Sequence, residues 1–235
     1  MQKKMIIAID GPSGVGKSTL SRLLAHRLNY VNIDTGAMYR CVALAARRRG
    51  VDLTDEEALV RLCRGLRLEF LRNDGQERVL LDGEDVTEAI RTPENSMRTS
   101  QVSARPGVRR AMLTLQRQMG AGGGVVLEGR DIGTVVFPEA EVKIFLQADP
   151  VERARRRCAE LQAKGLEVNL DQTVADVMAR DAADSSREHA PLVQAEDAVA
   201  IDTTHLNIEQ VLERILAVVQ GQVERSGTAL ERTVP

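Results

Sequence analysis

The chain has 235 residues, enough for one domain carrying an insertion and for a full hydrophobic core without disulfide staples. Lys and Arg total 32 against 34 Asp and Glu, a formal net charge of −2, which excludes the basic excess of a nucleic-acid coat protein. Two tyrosines, three phenylalanines and no tryptophan leave no stacking platform for single-stranded bases.

An Ile-rich apolar run at 5–9, ending in Asp10-Gly11, predicts a buried parallel strand that feeds a turn. Leu20, Leu23, Leu24 and Leu28 recur at three- and four-residue spacings and predict a helix behind it. Residues 30–33 read as a second strand and 37–49 as a helix closed by Gly50. This alternation predicts an α/β fold with a central parallel sheet and helices on both faces. The middle changes character. Runs at 66–71 and 78–81 are strand-like and flank the turn signal Asn73-Asp74-Gly75, so they predict an antiparallel hairpin that does not belong to the parallel sheet. We place it in an inserted subdomain at about 63–104, between core segments at about 1–62 and 105–221.

A helix follows at 108–119, broken by the glycine-rich stretch 120–124. Residues 125–127 and 142–146 are two more central strands. Pro150 suits a first helical turn and opens a highly charged helix that Gly165 ends. A second polar helix covers 170–185, residues 198–201 form the last strand, and Asn207 caps a helix running to about Val219. Residues 222–235 read as a polar tail. Cys41, Cys63 and Cys158 are odd in number and widely spaced, which argues against a disulfide framework or a zinc site and for small core residues in a reducing cytosol. No apolar stretch approaches the roughly 18 residues that span a bilayer, so a soluble cytoplasmic protein is expected.

The chemistry begins at Gly11-Pro12-Ser13-Gly14-Val15-Gly16-Lys17-Ser18, which fits G-x-x-x-x-G-K-[ST] between a strand and a helix. Glycines there let backbone N–H groups close around phosphate oxygens, and the helix N-terminus adds positive potential. Lys17 is placed to bridge the β- and γ-phosphates of a nucleoside triphosphate and Ser18 to ligate Mg²⁺, with Thr19 completing the loop. The guanine-reading Asn-Lys-x-Asp of a GTPase switch does not occur. A small-molecule kinase needs a second anion site, and four segments offer one. They are 34–40 with Asp34, Thr35 and Arg40; Ser100-Gln101-Val102 with Arg109; Glu128-Gly129-Arg130-Asp131-Ile132-Gly133 at a strand's carboxyl end; and Arg180, Asp184 and Arg187, which spacings of four and three place on one face of a single helix. Taken alone, Arg40 reads as a solvated helix arginine and the last trio as an ion-pair ladder.

Together these segments, with Asp34-Thr35-Gly36-Ala37-Met38-Tyr39-Arg40, the continuation to Pro138 and Arg180-Asp181, resemble the bacterial cytidylate kinases, a branch of the nucleoside monophosphate kinases, from Met5 to about Val219. The resemblance implies a three-layer P-loop fold with an inserted nucleotide-binding subdomain and a helical lid at about 150–166. It implies ATP and Mg²⁺, and CMP or dCMP as acceptor, held between the core and the insertion. It assigns Ser100, Arg109 and Asp131 to the cytosine, Arg180 and Asp184 to the pentose, and Arg40 and Arg130, with Arg187 nearby, to the acceptor phosphate. Thr35 belongs to the same set. Asp34 is placed on a water of the Mg²⁺ shell. In the lid, Arg153 and Arg157, one turn apart, are chosen to reach the transferring phosphate beside Lys17 and Arg130.

The acceptor phosphate oxygen is already anionic, so no general base is required, in keeping with only three histidines, none in these motifs. Catalysis is then expected from positioning and charge stabilisation. A monomer is expected. A kinase for UMP or another small acceptor, or a nucleotide-binding regulator on the same fold, remain the alternatives.

Overall fold

The computed structural model describes residues 4–73, 76–163 and 165–226. In chain order the elements are β1 (Ile6–Asp10), α1 (Lys17–Leu28), β2 (Val31–Asp34), α2 (Thr35–Arg48), α3 (Glu56–Arg64), β3 (Leu68–Asn73), β4 (Gln76–Leu81), β5 (Glu84–Asp85), a 3₁₀ turn (Ala89–Arg91), α4 (Pro93–Ser103), α5 (Pro106–Gly120), β6 (Val125–Gly129), a π-turn (Ile132–Val136), β7 (Val142–Gln147), α6 (Pro150–Gln162), α7 (Leu170–Ser185), β8 (Val199–Asp202) and α8 (Ile208–Ser226). They form two compact units, one of residues 1–32 with 122–235 and one of 33–121.

The first unit is organised on a five-stranded sheet in the order β2-β6-β1-β7-β8. β1 pairs in parallel with β6 on one side and β7 on the other, and β7 pairs in parallel with β8. Ile7 and Ile9 are fully buried, as a central parallel strand requires. Leu20, Leu24 and Leu28 of α1 and Val211, Ile215 and Val219 of α8 share one core with β1, Val126, Val142, Ile144, Leu146 and Ile201. This is the α/β class with the parallel sheet read from the sequence. The register aligns Asp10 with Gly129 and with Phe145, so the carboxyl ends of three strands open at one edge. α6 packs against α7. α7 covers the span predicted for it, whereas α8 runs seven residues beyond Val219. A capping box opens α8: the Asn207 side chain accepts from Gln210 N at 2.9 Å and the Gln210 side chain accepts from Asn207 N at 3.0 Å. No helix among the described residues is long and apolar enough to cross a membrane.

The second unit contains the hairpin. β3 and β4 pair antiparallel from Leu68↔Leu81 to Asn73↔Gln76, and β5 adds a third, short strand. Of the turn signal, Asp74 and Gly75 lie outside the described residues. The stretch 63–104 set apart in the sequence lies wholly inside this unit. Two helices absent from the sequence reading, α3 and α4, pack against α5 and α2 respectively. The three arginines that end α2 also acquire partners. Arg47 meets Glu94 at 3.0 Å, Arg48 meets Glu84 at 2.7 Å and Arg49 meets Asp82 at 2.7 Å. All three pairs are solvent-exposed, so each contributes well under about 1 kcal/mol.

Candidate active site

The phosphate loop leaves β1 through Gly11, whose φ is +148°; a Cβ there would lie 2.2 Å from the Leu146 carbonyl oxygen. Gly14 follows at φ +81°, its open Cβ position 3.1 Å from Arg153 Cβ. The loop is therefore seated against β7 and α6 at two points that admit only glycine without displacement. α1 starts at Lys17 with no side-chain cap, unlike α2, α3, α4, α6 and α7. Its first-turn N–H groups are those that an anion satisfies.

Lys17 is buried and folds back over the loop, donating to the Gly11 carbonyl at 2.8 Å and the Pro12 carbonyl at 2.6 Å. Burial, and then repulsion from Arg130 and also Arg180, press its pKa well below the ordinary lysine value; Glu128 and Asp10 pull the other way. A concentration of cations at this depth is relieved by a polyanionic ligand. Asp10, which ends β1, accepts from Ile132 N at 2.9 Å and Gly133 N at 2.7 Å, pinning the π-turn to the loop's base. Burial is the chief reason its carboxyl is raised to about 6. The π-turn itself is closed by i→i+5 bonds, Val136 N to Asp131 O at 3.1 Å and Phe137 N to Ile132 O at 2.7 Å. Such turns concentrate at functional sites, and this one directly follows Arg130-Asp131.

Arg130 donates from Nε to Asp184 Oδ2 at 2.8 Å, and Arg187 donates to Asp184 Oδ1. Burial raises the Asp184 pKa, but Arg130, Arg187 and Arg180 outweigh it and hold the carboxyl below its usual range. The sequence placed Arg187 on one helix with Arg180 and Asp184. In the structure α7 ends at Ser185 and Ser186 caps it, so Arg187 reaches Asp184 from beyond the helix.

The two arginines chosen in the lid have unlike surroundings. Arg157 is half-exposed and pairs with Glu160 at 3.2 Å. Arg153 is buried, 2% exposed, and does not project from the helix as the charged pattern suggested. It donates to the Ala148 carbonyl at 3.0 Å and the Ser13 carbonyl at 3.0 Å, and grips Asp181 through two bonds at 3.1 and 2.5 Å. Arg156, on the same helix, donates to the Thr203 carbonyl at 2.7 Å. The start of α6 is thus tied down. Asp10, Glu128 and Asp181 had no assigned role in the sequence reading. The signal available for the first two was a carboxylate ending an apolar strand that feeds a glycine-rich turn.

In the second unit, Asp34 caps α2 by accepting from Ala37 N at 2.8 Å and lies 3.6 Å from Arg40. Thr35 is buried in the first turn of α2. Ser100 sits on the exposed face of α4. Arg109, on α5, donates to the Ser103 carbonyl at 3.5 Å, and its guanidinium lies 5.7 Å from the centre of the Tyr39 ring. Ser103 Oγ in turn donates to the Ser100 carbonyl at 3.2 Å, so Ser100 and Arg109 belong to one local network.

The family model for cytidylate kinase matches residues 7–221. The chain belongs to the cytidylate kinase family, and is a phosphotransferase. It is similar to the cytidylate kinase of Syntrophotalea carbinolica, 69% identical over 93% of both chains, and to that of Geobacter sulfurreducens, 58% identical over 93% of this chain and 94% of that one. A solved structure of an uncharacterized protein from Eubacterium ventriosum aligns with a TM-score of 0.51 over 93% of this chain and 99% of that chain, at 13% identity, a likeness of fold alone.

Proposed function

We propose that this cytidylate kinase family member transfers the γ-phosphoryl group of ATP to CMP and dCMP, giving CDP and dCDP, in the cytoplasm. The observation that carries the substrate is that relatives at 69% and 58% identity, matched over nearly their whole length, are cytidylate kinases. Gly11 to Thr19 hold the ATP phosphates. Arg40, Arg130 and Arg187 take the acceptor phosphate, Arg180 and Asp184 the pentose, and Ser100, Arg109 and Asp131 the cytosine. An acceptor carboxylate and hydroxyl suit cytosine's amino group, and a guanidinium suits its carbonyl and N3.

An anionic oxygen of the acceptor phosphate attacks the γ-phosphorus. Its bond to that phosphorus forms as the bond to the β,γ-bridging oxygen breaks, and the leaving electron pair stays on ADP. No proton need be removed. Lys17 and Arg130 meet the charge on the transferring group, with Arg157 as the lid arginine. Arg153, buried and bonded to Asp181 and to the Ala148 and Ser13 carbonyls, holds the loop in shape. The described residues contain no cluster of three or more His, Cys, Asp or Glu side chains able to hold a metal by themselves. An exposed Ser18 hydroxyl at the head of α1 suits an ion that takes its other ligands from phosphates and water. Mg²⁺ held by Ser18 would supply charge neutralisation on the donor phosphates. Asp34, already capping α2 and paired with Arg40, is kept in that role.

A coupled ADP-release assay across CMP, dCMP, UMP and AMP tests this. Turnover with CMP and dCMP well above UMP and AMP is expected. Preference for UMP overturns the acceptor, and tight binding of ATP or CMP with no ADP formed marks a regulator instead of an enzyme.

A further inference from the structure

Within the first unit, α7 carries three charged residues at 180, 181 and 184 that look to two different tasks. Arg180 and Asp184, one turn apart, are the groups assigned above to the acceptor's pentose. Asp181, between them in sequence, is engaged elsewhere. Both of its carboxylate oxygens are held by Arg153, at 3.1 and 2.5 Å. Arg153 does more than balance that charge. Its side chain is 3% exposed, against 24% for Asp181, and the same Nη1 that meets Asp181 also donates to the Ser13 carbonyl at 3.0 Å. Its Cβ sits against Gly14 and its Nε is fixed by the Ala148 carbonyl at the end of β7. One planar guanidinium therefore joins the acceptor helix, the edge of the sheet and the backbone of the donor-phosphate loop.

We propose that Asp181 is a positioning residue that acts through Arg153 to couple the two substrates: acceptor binding on α7 fixes Asp181, which fixes Arg153 and with it the Ser13–Gly14 backbone that receives the ATP phosphates. The inference rests on the assignment of Arg180 and Asp184 to the acceptor. A bidentate carboxylate–guanidinium pair suits this work because it transmits orientation as well as distance. By linkage, the effect is reciprocal: ATP must tighten CMP as much as CMP tightens ATP.

The test is calorimetric binding of a non-hydrolysable ATP analogue with Mg²⁺, alone and with saturating CMP, to the full chain. In the wild type, CMP tightens the analogue by about tenfold. Asp181→Asn removes the charge from a pair whose arginine is buried and is expected to lower thermal stability. A second variant, Arg153→Met with Asp181→Leu, replaces both partners by apolar groups of similar size and keeps the fold. In both variants CMP alone binds within about threefold of wild type, the analogue alone binds more weakly because the loop backbone is loosened, and the coupling factor, a ratio of the analogue's affinities with and without CMP, falls to about one. Asp181→Glu restores part of it, which a merely structural role would not produce. Coupling that survives in the double variant overturns the inference. So does a wild type that binds both nucleotides independently, with CMP kinase activity intact. A wild type that binds no CMP overturns the acceptor assignment and this inference together.

Discussion

The Lys17 ammonium donates to the Pro12 carbonyl at 2.6 Å, closing the phosphate loop on itself from within. The contact uses a charge to satisfy neutral carbonyls while burial and two neighbouring arginines work against its protonation. A bound triphosphate exchanges those partners for anionic oxygens. Lys17→Ala is expected to abolish phosphoryl transfer, with kcat lowered about 10³-fold or more, while the circular dichroism spectrum and melting temperature stay near wild type. Near-normal turnover in this variant removes Lys17 from the mechanism.

Asp131 begins the π-turn, next to Arg130. Asp131→Ala is expected to raise KM for CMP at least tenfold and to narrow the ratio of CMP to UMP turnover, leaving KM for ATP within about twofold. Steady-state kinetics with each nucleotide varied in turn measure this. An unchanged KM for CMP takes Asp131 out of base recognition.

Asp10 gives a pH signature. Its carboxyl is raised from 3.8 to about 6 in the fold, chiefly by burial. Between those values the folded chain binds more protons than the unfolded one. Stability from this group is therefore complete below about pH 4 and is lost as the pH rises through about 6. The full swing is about 3 kcal/mol. Asp10→Asn cannot titrate, so the stability difference between wild type and this variant should shrink by about that amount from pH 4 to pH 7. Urea denaturation at a series of pH values checks it, and a constant difference contradicts the raised value.

Gly11 tests the seat of the loop. The Leu146 carbonyl oxygen occupies the space a Cβ would need, and the backbone is left-handed. Gly11→Ala is expected to cost about 3 kcal/mol or more, read as a lowered denaturation midpoint, and to abolish ATP binding. Wild-type stability in that variant would show that β7 gives way.

The phosphate loop was legible because its chemistry demands particular residues at fixed spacing, and α7 because it is a long run of helix-forming residues, opened in the structure by the Asn169 side chain accepting from Gln172 N at 3.0 Å. Other elements hid for physical reasons. α4 carries a start signal, Thr92 accepting from Asn95 N at 3.2 Å ahead of Pro93, but only Met97 and Val102 as large apolar residues, too few to show a period, and it packs on α2 partly through a buried Asn95 that donates to the Arg40 and Ile90 carbonyls. The π-turn is the apolar string Ile132-Gly133-Thr134-Val135-Val136, which local preference assigns to a strand; Asp10, more than a hundred residues away, holds it in its turn. α3 did carry end signals, with Asp55 as its cap and acidic and basic residues at opposite ends, but only nine residues to show a period. No spacing rule tells which of Arg153, Arg155, Arg156 and Arg157 turns inward. Arg153 does so because its acidic partner lies 28 residues downstream.

β1 precedes its partners in register, from Ile6↔Val125 to Ile7↔Val142, by more than a hundred residues of chain. Residues 33–121, by contrast, form one uninterrupted unit that is complete before either partner strand exists. The order of synthesis thus sets an order of assembly. The second unit can fold while the chain is still growing, and the nascent phosphate loop waits, without a sheet to sit on, until residue 147 has emerged.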